Sequence, residues 1–352
     1  MKIKDNYLIK ILDKLIENNT QPILVGGCVR DSFLGKEVKD YDVEVYGLDS
    51  LETLEKILEE FGEINFVGKS FGILKLSTKE MEYDFSFPRL ENKTSKGHRG
   101  FDVIIDSSLS FDVASKRRDF TINAIGYDYR NKIYLDPFDG IKDIEKKTLR
   151  YINEVTFKED PLRVYRAIQL SARFDFSLDT QTFILCKKIV LTQEFLDISK
   201  ERVYEEYKKF LLKSKTPSIG FTLLNELQIE KVDNHIISLI DDLSSKTMSN
   251  ENKLLLIFSL IEDIFKKISN DKKLLKKINT FNIFMIPRIY KNKFKNIHLI
   301  SEKMRIKLEI FNNMPKPLFM GKDLIKMGYK PSEKFKSILD TLYKMQLGGK
   351  IC

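Results

Sequence analysis

The chain has 352 residues, of which 42% are hydrophobic and 32% are charged, and its formal net charge is +9. This length favours about two or three domains over a single core, and the composition excludes an intrinsically disordered chain. The basic excess indicates a polyanionic partner. The three cysteines and three histidines are scattered along the chain, which argues against a disulfide scaffold and against a metal centre built from these residues.

The sequence contains no pattern typical of membrane insertion or secretion. The longest nearly apolar stretch, residues 254–261, is far shorter than the roughly twenty residues that span a bilayer. Acidic residues interrupt the N-terminal segment, so it does not resemble a signal peptide. We therefore expect a reduced, cytoplasmic protein with no membrane partner; the sequence leaves its oligomeric state open.

The first 150 residues combine two periodicities, one typical of helices and one typical of strands. In chain order, the predicted elements are a helix over 4–18, a strand at 23–25, a helix over 29–34, a strand at 41–46, a helix over 51–61, and strands at 64–68, 72–77 and 82–87. Together they predict a small, mixed sheet with helices packed on it.

After about residue 150 the strand patterns fade. Helical periodicity is clear at 162–174 and 203–212, and it recurs in several segments between 218 and 345. The back half is therefore predicted to be all-α, and the fold class is α+β.

The first candidate site lies around a glycine pair. Gly26 and Gly27 follow the strand at 23–25, where a tight turn allows backbone amides to approach a phosphate. Asp40 and Asp42 alternate along the next strand, so both carboxylates project from one face. Two such acids repel each other unless a cation lies between them, and hard oxygen ligands suit Mg²⁺. Asp84 lies on a further strand, which would bring a third carboxylate beside the pair.

Two later clusters are rich in Arg and Asp. Arg118, Asp119 and Asn123 belong to the string Arg117-Arg118-Asp119-Phe120-Thr121-Ile122-Asn123-Ala124, and such groups suit a triphosphate and a ribose hydroxyl. Asp160, Arg163 and Arg166 step by three after Glu159 and around Pro161, which predicts that they share one helix face. That face would present an acceptor and donors to a base edge, whereas the simpler alternative is a helix cap with an intrahelical ion pair.

In order and spacing, these motifs resemble the class II tRNA nucleotidyltransferases (CCA-adding enzymes) and the related bacterial poly(A) polymerases, within the DNA polymerase β-like nucleotidyltransferase superfamily. The resemblance covers residues 26–166, and it extends to Ser199-Lys200-Glu201-Arg202, which is similar to the family's neck helix. It implies a palm-like nucleotidyltransferase head over 1–150, a helical neck that recognises the base over 151–215, and a helical body and tail that bind RNA over 216–352.

The resemblance also implies roles for the candidate residues. Asp40 and Asp42 would bind the metal, with Asp84 as the third catalytic carboxylate. The nucleotide would be bound by Gly26, Gly27, Arg30, Arg118, Asp119, Asn123, Asp160, Arg163 and Arg166. Some relatives carry an arginine where this chain has Gln169, so we assign no contact there.

The implied activity is template-independent addition of CCA to the 3′ end of tRNA from CTP and ATP. Between residues 288 and 336 the chain has thirteen basic and four acidic residues, a balance that suits the phosphates of a tRNA.

Three alternatives stay open. A poly(A) polymerase often carries a second basic residue where this chain has Ser70 in Gly68-Lys69-Ser70-Phe71, which favours the tRNA enzyme. A specialist that adds only CC or only A is less favoured, because the segment 90–110 is long enough for the mobile loop that CC addition is thought to need. A non-catalytic RNA-binding protein would be expected to lack one of the carboxylates, and none is missing.

Overall fold

The computed structural model describes residues 1–48, 50–65, 72–78, 81–93, 101–245, 249–285, 317–331 and 334–347. They form two compact units, Met1–Val232 and Asp233–Cys352. The predicted division into head, neck, and body with tail stays a prediction. The helices between residue 150 and Val232 belong to the same compact unit as the predicted head.

The first unit contains eleven strands among its described residues. They are β1 (Gln21–Val25), β2 (Asp40–Tyr46), β3 (Ile64–Asn65), β4 (Ile73–Ser77), β5 (Glu82–Ser86), β6 (Arg89–Lys93), β7 (Phe101–Ile105), β8 (Gly126–Asp128), β9 (Ile133–Leu135), β10 (Thr148–Leu149) and β11 (Ser177–Leu178).

Seven of these strands form the main sheet, in the order β3-β4-β5-β2-β1-β8-β9. The pairing of β2 with β5 is parallel, whereas the other pairs are antiparallel. The sheet is therefore mixed, and the prediction of an α+β fold is confirmed.

The helices of the first unit are α1 (Asn6–Glu17), α2 (Gly27–Phe33), α3 (Leu51–Glu59), α4 (Phe111–Ser115), α5 (Gly140–Glu145), α6 (Glu154–Glu159), α7 (Arg163–Phe174), α8 (Thr180–Val190), α9 (Gln193–Leu196), α10 (Lys200–Lys213) and α11 (Ser218–Glu226). Helix α1 illustrates why they form where they do. The Asp5 side chain accepts hydrogen bonds from the amides of Tyr7 and Leu8 and so caps the helix. The apolar residues at helical spacing after that cap are fully buried.

Helix α7 connects the sheet to the helical part of the unit. It packs against α10 and α11, and Val164, Ala167 and Ile168 are buried in that contact region. Asp175 adopts a left-handed conformation with φ of 59° and ends the helix. The chain then runs back as β11, which pairs in parallel with β10. The prediction that no strand follows residue 150 is therefore wrong for these two residues, because so short a strand depends on its partner and leaves no periodicity of its own.

The segment 90–110, predicted as a mobile loop, contains parts of the β6–β7 hairpin. Residues 94–100 lie outside the described part of the chain, as does Gly68-Lys69-Ser70-Phe71.

The second unit is helical in its described residues. Its helices are α12 (Asn234–Ser245), α13 (Asn250–Leu260), α14 (Glu262–Ile268), α15 (Lys272–Met285), α16 (Gly321–Lys326) and α17 (Lys334–Leu347). Eight of the thirteen basic residues counted in the tail lie in 286–316, outside the described residues. Across the described ranges, every helix is too short or too polar to cross a membrane.

Candidate nucleotide-binding site

The glycine turn lies where β1 ends and α2 begins. Gly26 has φ of 73° and ψ of −131°, a conformation that side chains rarely adopt. A Cβ atom at this position would lie 3.2 Å from Nη1 of Arg118 and 3.3 Å from Oδ2 of Asp42. The absence of a side chain therefore allows a basic and an acidic group to meet at the turn.

The three predicted carboxylates lie on two adjacent strands. Along β2, Asp40 and Asp42 are exposed while Tyr41 and Val43 are buried, so the two acids share a face. In the parallel pairing of β2 with β5, Asp42 lies opposite Asp84. The structure thus brings the third acid beside the pair, as the sequence predicted it would.

These carboxylates form an acidic cluster in which like charges interact. Although part of Asp42 faces solvent, burial of its carboxyl is the largest influence on its pKa and raises it. The Arg118 guanidinium lowers the pKa, whereas the negative charges of Asp84 and Asp40 raise it further. The net result raises the pKa of Asp42 to about 6. Burial likewise raises the pKa of Asp84, although Nζ of Lys75 lies 3.5 Å from its Oδ1.

The donor set fits a divalent cation. A cation between these carboxylates would relieve their repulsion, and oxygen ligands of this kind suit a hard ion. Within the described ranges, no group of three or more His, Cys, Asp or Glu side chains converges closely enough to hold a metal alone. Asp40 and Asp42 would therefore hold the ion together with substrate phosphates, an arrangement common for Mg²⁺.

A continuous chain of hydrogen bonds joins α2 to α7. Nη1 of Arg30 donates to Oδ1 of Asn123 at 2.6 Å, and Nδ2 of Asn123 donates to Oδ1 of Asp119 at 2.8 Å. Nε and Nη2 of Arg166 lie 2.7 and 2.6 Å from Oδ2 of Asp119. Four residues from three well-separated parts of the sequence thus form one connected network.

Asp119 is the charged centre of this network. Its burial alone would raise its pKa, but the guanidinium groups of Arg166 and Arg163 and the hydrogen bond from Asn123 lower it to about 2. The carboxylate is therefore ionised throughout the physiological range, and it fixes Arg166 in place.

A second cluster of ionic contacts surrounds Glu44, which the sequence analysis did not identify. Nη2 of Arg117 and Nη2 of Arg118 donate to Oε1 of Glu44 at 2.6 and 2.7 Å. The hydroxyl of Tyr46 donates to Oε2 at 3.1 Å. The alternation of β2 could have identified Glu44, since it follows Asp40 and Asp42 on the same face.

The residues that were predicted to read the base differ from the prediction in one respect. Asp160 has an extended backbone and precedes α7 instead of lying on it, so it does not share a helix face with Arg163 and Arg166. Its carboxylate accepts from the amide of Leu162 at 3.2 Å, which caps the turn before the helix. Nη2 of Arg202 on α10 donates to both carboxylate oxygens, at 3.1 and 2.8 Å. Of the simpler alternative, the cap is present, and the ion pair of Asp160 is with an arginine on another element.

Ten predicted site residues line a single cavity of about 630 Å³. These are Gly26, Gly27, Arg30, Asp42, Arg118, Asp119, Asn123, Asp160, Arg163 and Arg166. Asp40 and Asp84 lie beside Asp42 in the sheet but are not part of the cavity lining.

The cavity wall is strongly basic. It carries ten Arg or Lys side chains against three Asp, which favours a polyanionic ligand. Side chains that the prediction did not include also line it: Arg89, Arg117, Arg173, Arg202, Lys209 and Lys213. Spacing along α7 and α10 could have identified several of them, because Arg166 and Arg173 are seven residues apart and Lys209 and Lys213 are four apart.

Gln169, where no contact was assigned, also lines the cavity, and its Nε2 has no hydrogen-bond partner among the described residues.

Comparison with known proteins finds a family similar to the part of the chain that carries the glycine turn, the three carboxylates and the cluster at 117–123. Residues 23–150 match the family described as the Poly A polymerase head domain. These residues are thus similar to that family over about a third of the chain. The chain is also 36% identical over 209 residues to the CCA-adding enzyme of Alteromonas mediterranea, a match that covers 58% of this chain and 50% of the relative. The chain thus spans about half the length of the curated relatives that it matches.

Solved structures share the fold of the chain. The CCA-adding enzyme of Bacillus stearothermophilus in complex with CTP superposes with a TM-score of 0.68 at 20% identity, and the match covers 99% of this chain and 94% of the other. The CCA-adding enzyme of Thermotoga maritima complexed with tRNA has a TM-score of 0.65 at 19% identity, with coverages of 99% and 93%. Together with the head-domain match, these findings confirm the resemblance to the CCA-adding enzymes and bacterial poly(A) polymerases.

Proposed function

We propose that this chain is a template-independent tRNA nucleotidyltransferase that adds CCA to tRNA 3′ ends from CTP and ATP, with Mg²⁺ as its metal. The observation that carries the proposal is the basic cavity, in which the glycine turn and Asp42 face the Arg and Asp residues of α7 and of the segment 117–123. The sequence identity to a CCA-adding enzyme supports the choice of reaction.

The first step is binding of the nucleotide triphosphate. Arg30 and Arg118 lie at the glycine turn, and Arg117 lines the same cavity. A guanidinium binds phosphate oxygens through two parallel donors. Asp119 and Asn123 would bind the ribose hydroxyls.

The base would be selected by Asp160 and Arg163. Cytosine and adenine both present an amino donor beside a ring-nitrogen acceptor, so one carboxylate and one guanidinium can bind either base. Uracil and guanine present a different pattern and would leave buried polar groups unpaired. Arg202 orients Asp160, and the carbonyl of Arg117 accepts from Nη2 of Arg163 at 2.6 Å. Both reading groups are therefore held in defined positions.

The nucleotidyl group would be transferred at the carboxylates of Asp40, Asp42 and Asp84. The primer 3′-hydroxyl attacks the α-phosphate in line, and the new oxygen–phosphorus bond forms as the bond to pyrophosphate breaks. A metal bound at Asp40 and Asp42 would offset the charge on the attacking and leaving oxygens. Asp84 would complete the carboxylate group from the neighbouring strand.

We propose tRNA as the primer because one structural relative is a complex with tRNA. We also propose that the protein acts in the cytoplasm. The thiols of Cys28 and Cys186 are free and buried, as expected for a protein in a reducing compartment.

The test is incorporation of labelled CTP or ATP into tRNA that ends before C74, C75 or A76, with purified protein and Mg²⁺. The expected product contains two added cytidines and one adenosine. Long adenosine tracts on any RNA would instead indicate a poly(A) polymerase. Addition of only CC or only A would indicate a specialist, and binding of tRNA without incorporation would indicate a non-catalytic RNA-binding protein.

A further inference from the structure

Glu44 is a buried acid to which the proposed reaction gives no role. It lies on β2, two residues after Asp42, and its side chain is 1% exposed. Burial of a carboxylate is costly unless it is paired and hydrogen-bonded, so the contacts of Glu44 indicate what it does.

Those contacts join the sheet to the segment that follows α4. A single oxygen of Glu44 accepts from both Arg117 and Arg118, at 2.6 and 2.7 Å, and Tyr46 donates to the other oxygen. Two guanidinium groups that share one oxygen lie close together and repel each other. The carboxylate between them offsets this repulsion and helps to hold both side chains in place, together with the hydrogen bond from Nη1 of Arg118 to the carbonyl of Asn123 at 3.4 Å.

The position of Arg118 matters for the cavity. Its Nη1 lies at the glycine turn, close to the point where Oδ2 of Asp42 also lies. Without Glu44, the guanidinium of Arg118 would be attracted towards the Asp42 carboxylate, where a metal would bind. Anchored by Glu44, Arg118 and Arg117 both line the cavity, and the shared carboxylate neutralises one of their two charges.

We propose that Glu44 is a positioning residue for the triphosphate: it holds Arg117 and Arg118 where they bind the phosphates and stops Arg118 from moving closer to the metal-binding carboxylate than the glycine turn. This inference rests on the proposed function. It concerns the part of the substrate that CTP and ATP share, because base selection is assigned to Asp160 and Arg163. Its effect on the two nucleotides is therefore the same.

The experiment compares Glu44→Val and Glu44→Gln with the wild-type full-length protein. Val removes both acceptor oxygens. Gln keeps one acceptor oxygen and the shape of the side chain but loses the charge. In Glu44→Val the KM for CTP and the KM for ATP rise by the same factor, about tenfold, which corresponds to roughly 1.4 kcal/mol, while kcat stays within about threefold. In Glu44→Gln the rise is about two- to threefold, so the conservative variant largely rescues the loss.

A second measurement does not depend on catalysis. Inorganic tripolyphosphate contains neither base nor ribose, and its dissociation constant from each variant, measured by calorimetry, increases by the same factors. If Glu44→Val does not fold, the binding of tripolyphosphate to Glu44→Gln still tests the proposal. A dissociation constant for Glu44→Gln equal to that of the wild type overturns it.

A matched control is Asp143→Asn. Asp143 is also a buried acid paired with an arginine, since Nε and Nη2 of Arg150 lie 3.1 and 3.2 Å from its oxygens, but it does not line the cavity. Its loss lowers stability without changing tripolyphosphate binding. Equal effects of Asp143→Asn and Glu44→Val on binding, or KM changes that differ between CTP and ATP by more than about threefold, contradict the positioning role.

The two proposals fail in different ways. A wild-type protein that adds neither C nor A to tRNA refutes the proposed function. A wild-type protein that adds both, together with a Glu44→Val variant whose KM values and tripolyphosphate binding are unchanged, refutes only the role of Glu44.

Discussion

The substitution Asp119→Asn tests whether the network that joins α2 to α7 stabilises the protein through charge. Asp119 accepts from the amide of Phe120 and from Asn123 on one oxygen, and from Arg166 on the other. Asn has nearly the same shape, but it has no charge and carries an amino group in place of one carboxylate oxygen. The variant therefore removes the ionic part of the network with little change in packing.

The size of the effect follows from the pKa of the carboxyl. A group with a pKa of about 2 in the folded protein and 3.8 in its ordinary state contributes roughly 2 kcal/mol to stability at neutral pH. This contribution is present above the unfolded-state pKa and is lost as the pH falls from about 3.8 towards 2. Arg166 is partly exposed, so water hydrates its guanidinium once the partner is gone. The cost therefore stays below the 3 to 5 kcal/mol typical of breaking a fully buried pair.

The assay is urea-induced unfolding followed by tyrosine fluorescence. The chain has no tryptophan, and eleven of its fourteen tyrosines lie in the unit Met1–Val232, so the signal reports mainly on the unit that contains Asp119. We expect Asp119→Asn to lower the free energy of unfolding by roughly 2 kcal/mol near pH 7, with a difference that shrinks below about pH 4.

The matched control is Asp160→Asn. This carboxylate also pairs with an arginine at the cavity, but its side chain is 24% exposed, compared with 6% for Asp119. Its loss should cost less than half as much, because solvent screens exposed pairs. Equal costs for the two variants, or a cost for Asp119→Asn that does not change between about pH 7 and pH 3, would refute the reasoning.

Three further predictions concern activity. Asp42→Ala should reduce nucleotide incorporation by roughly 10³-fold or more while leaving tRNA affinity, measured by gel shift, nearly unchanged. Weakened tRNA binding would contradict the role of Asp42 as a metal ligand. The pKa of Asp42 is about 6, and a metal binds only the ionised carboxylate. The Mg²⁺ concentration that gives half-maximal incorporation should therefore rise about tenfold for each pH unit below 6. A concentration that does not change with pH would exclude Asp42 as a ligand. Gly35→Ala, at a position with φ of 62° and no neighbour within 4 Å, should cost about 1 kcal/mol in stability and leave kcat/KM unchanged. Gly26→Ala should cost more than that, because its Cβ would lie 3.2 and 3.3 Å from side chains of the site, and it should also lower kcat/KM.

Short-range patterns predicted part of the secondary structure of the first unit, but they predicted no element between residues 88 and 161. The spacing of apolar residues predicted α1 and α7 to within a few residues, and alternation predicted that Asp40 and Asp42 share a face. Both depend on residues a few positions apart, so they are encoded locally.

The composition of the site was predicted in the same way. The glycine pair, Asp42 and four residues of the cluster at 117–123 were identified from motifs, and the structure brings them to one cavity, with Asp40 beside it. That Asp84 lies directly opposite Asp42 depends on β5 pairing in parallel with β2, and alternation within either strand does not determine which strands become neighbours.

Tertiary structure alone decided the partners of the charged groups. Glu44 pairs with Arg118 across seventy-four positions of the chain, and Asp160 pairs with Arg202 on another helix rather than within its own. The strand β11 likewise exists only through its pairing with β10. These contacts depend on how the sheet and helices pack, and the burial that packing produces is what turns ordinary surface charges into fixed ion pairs.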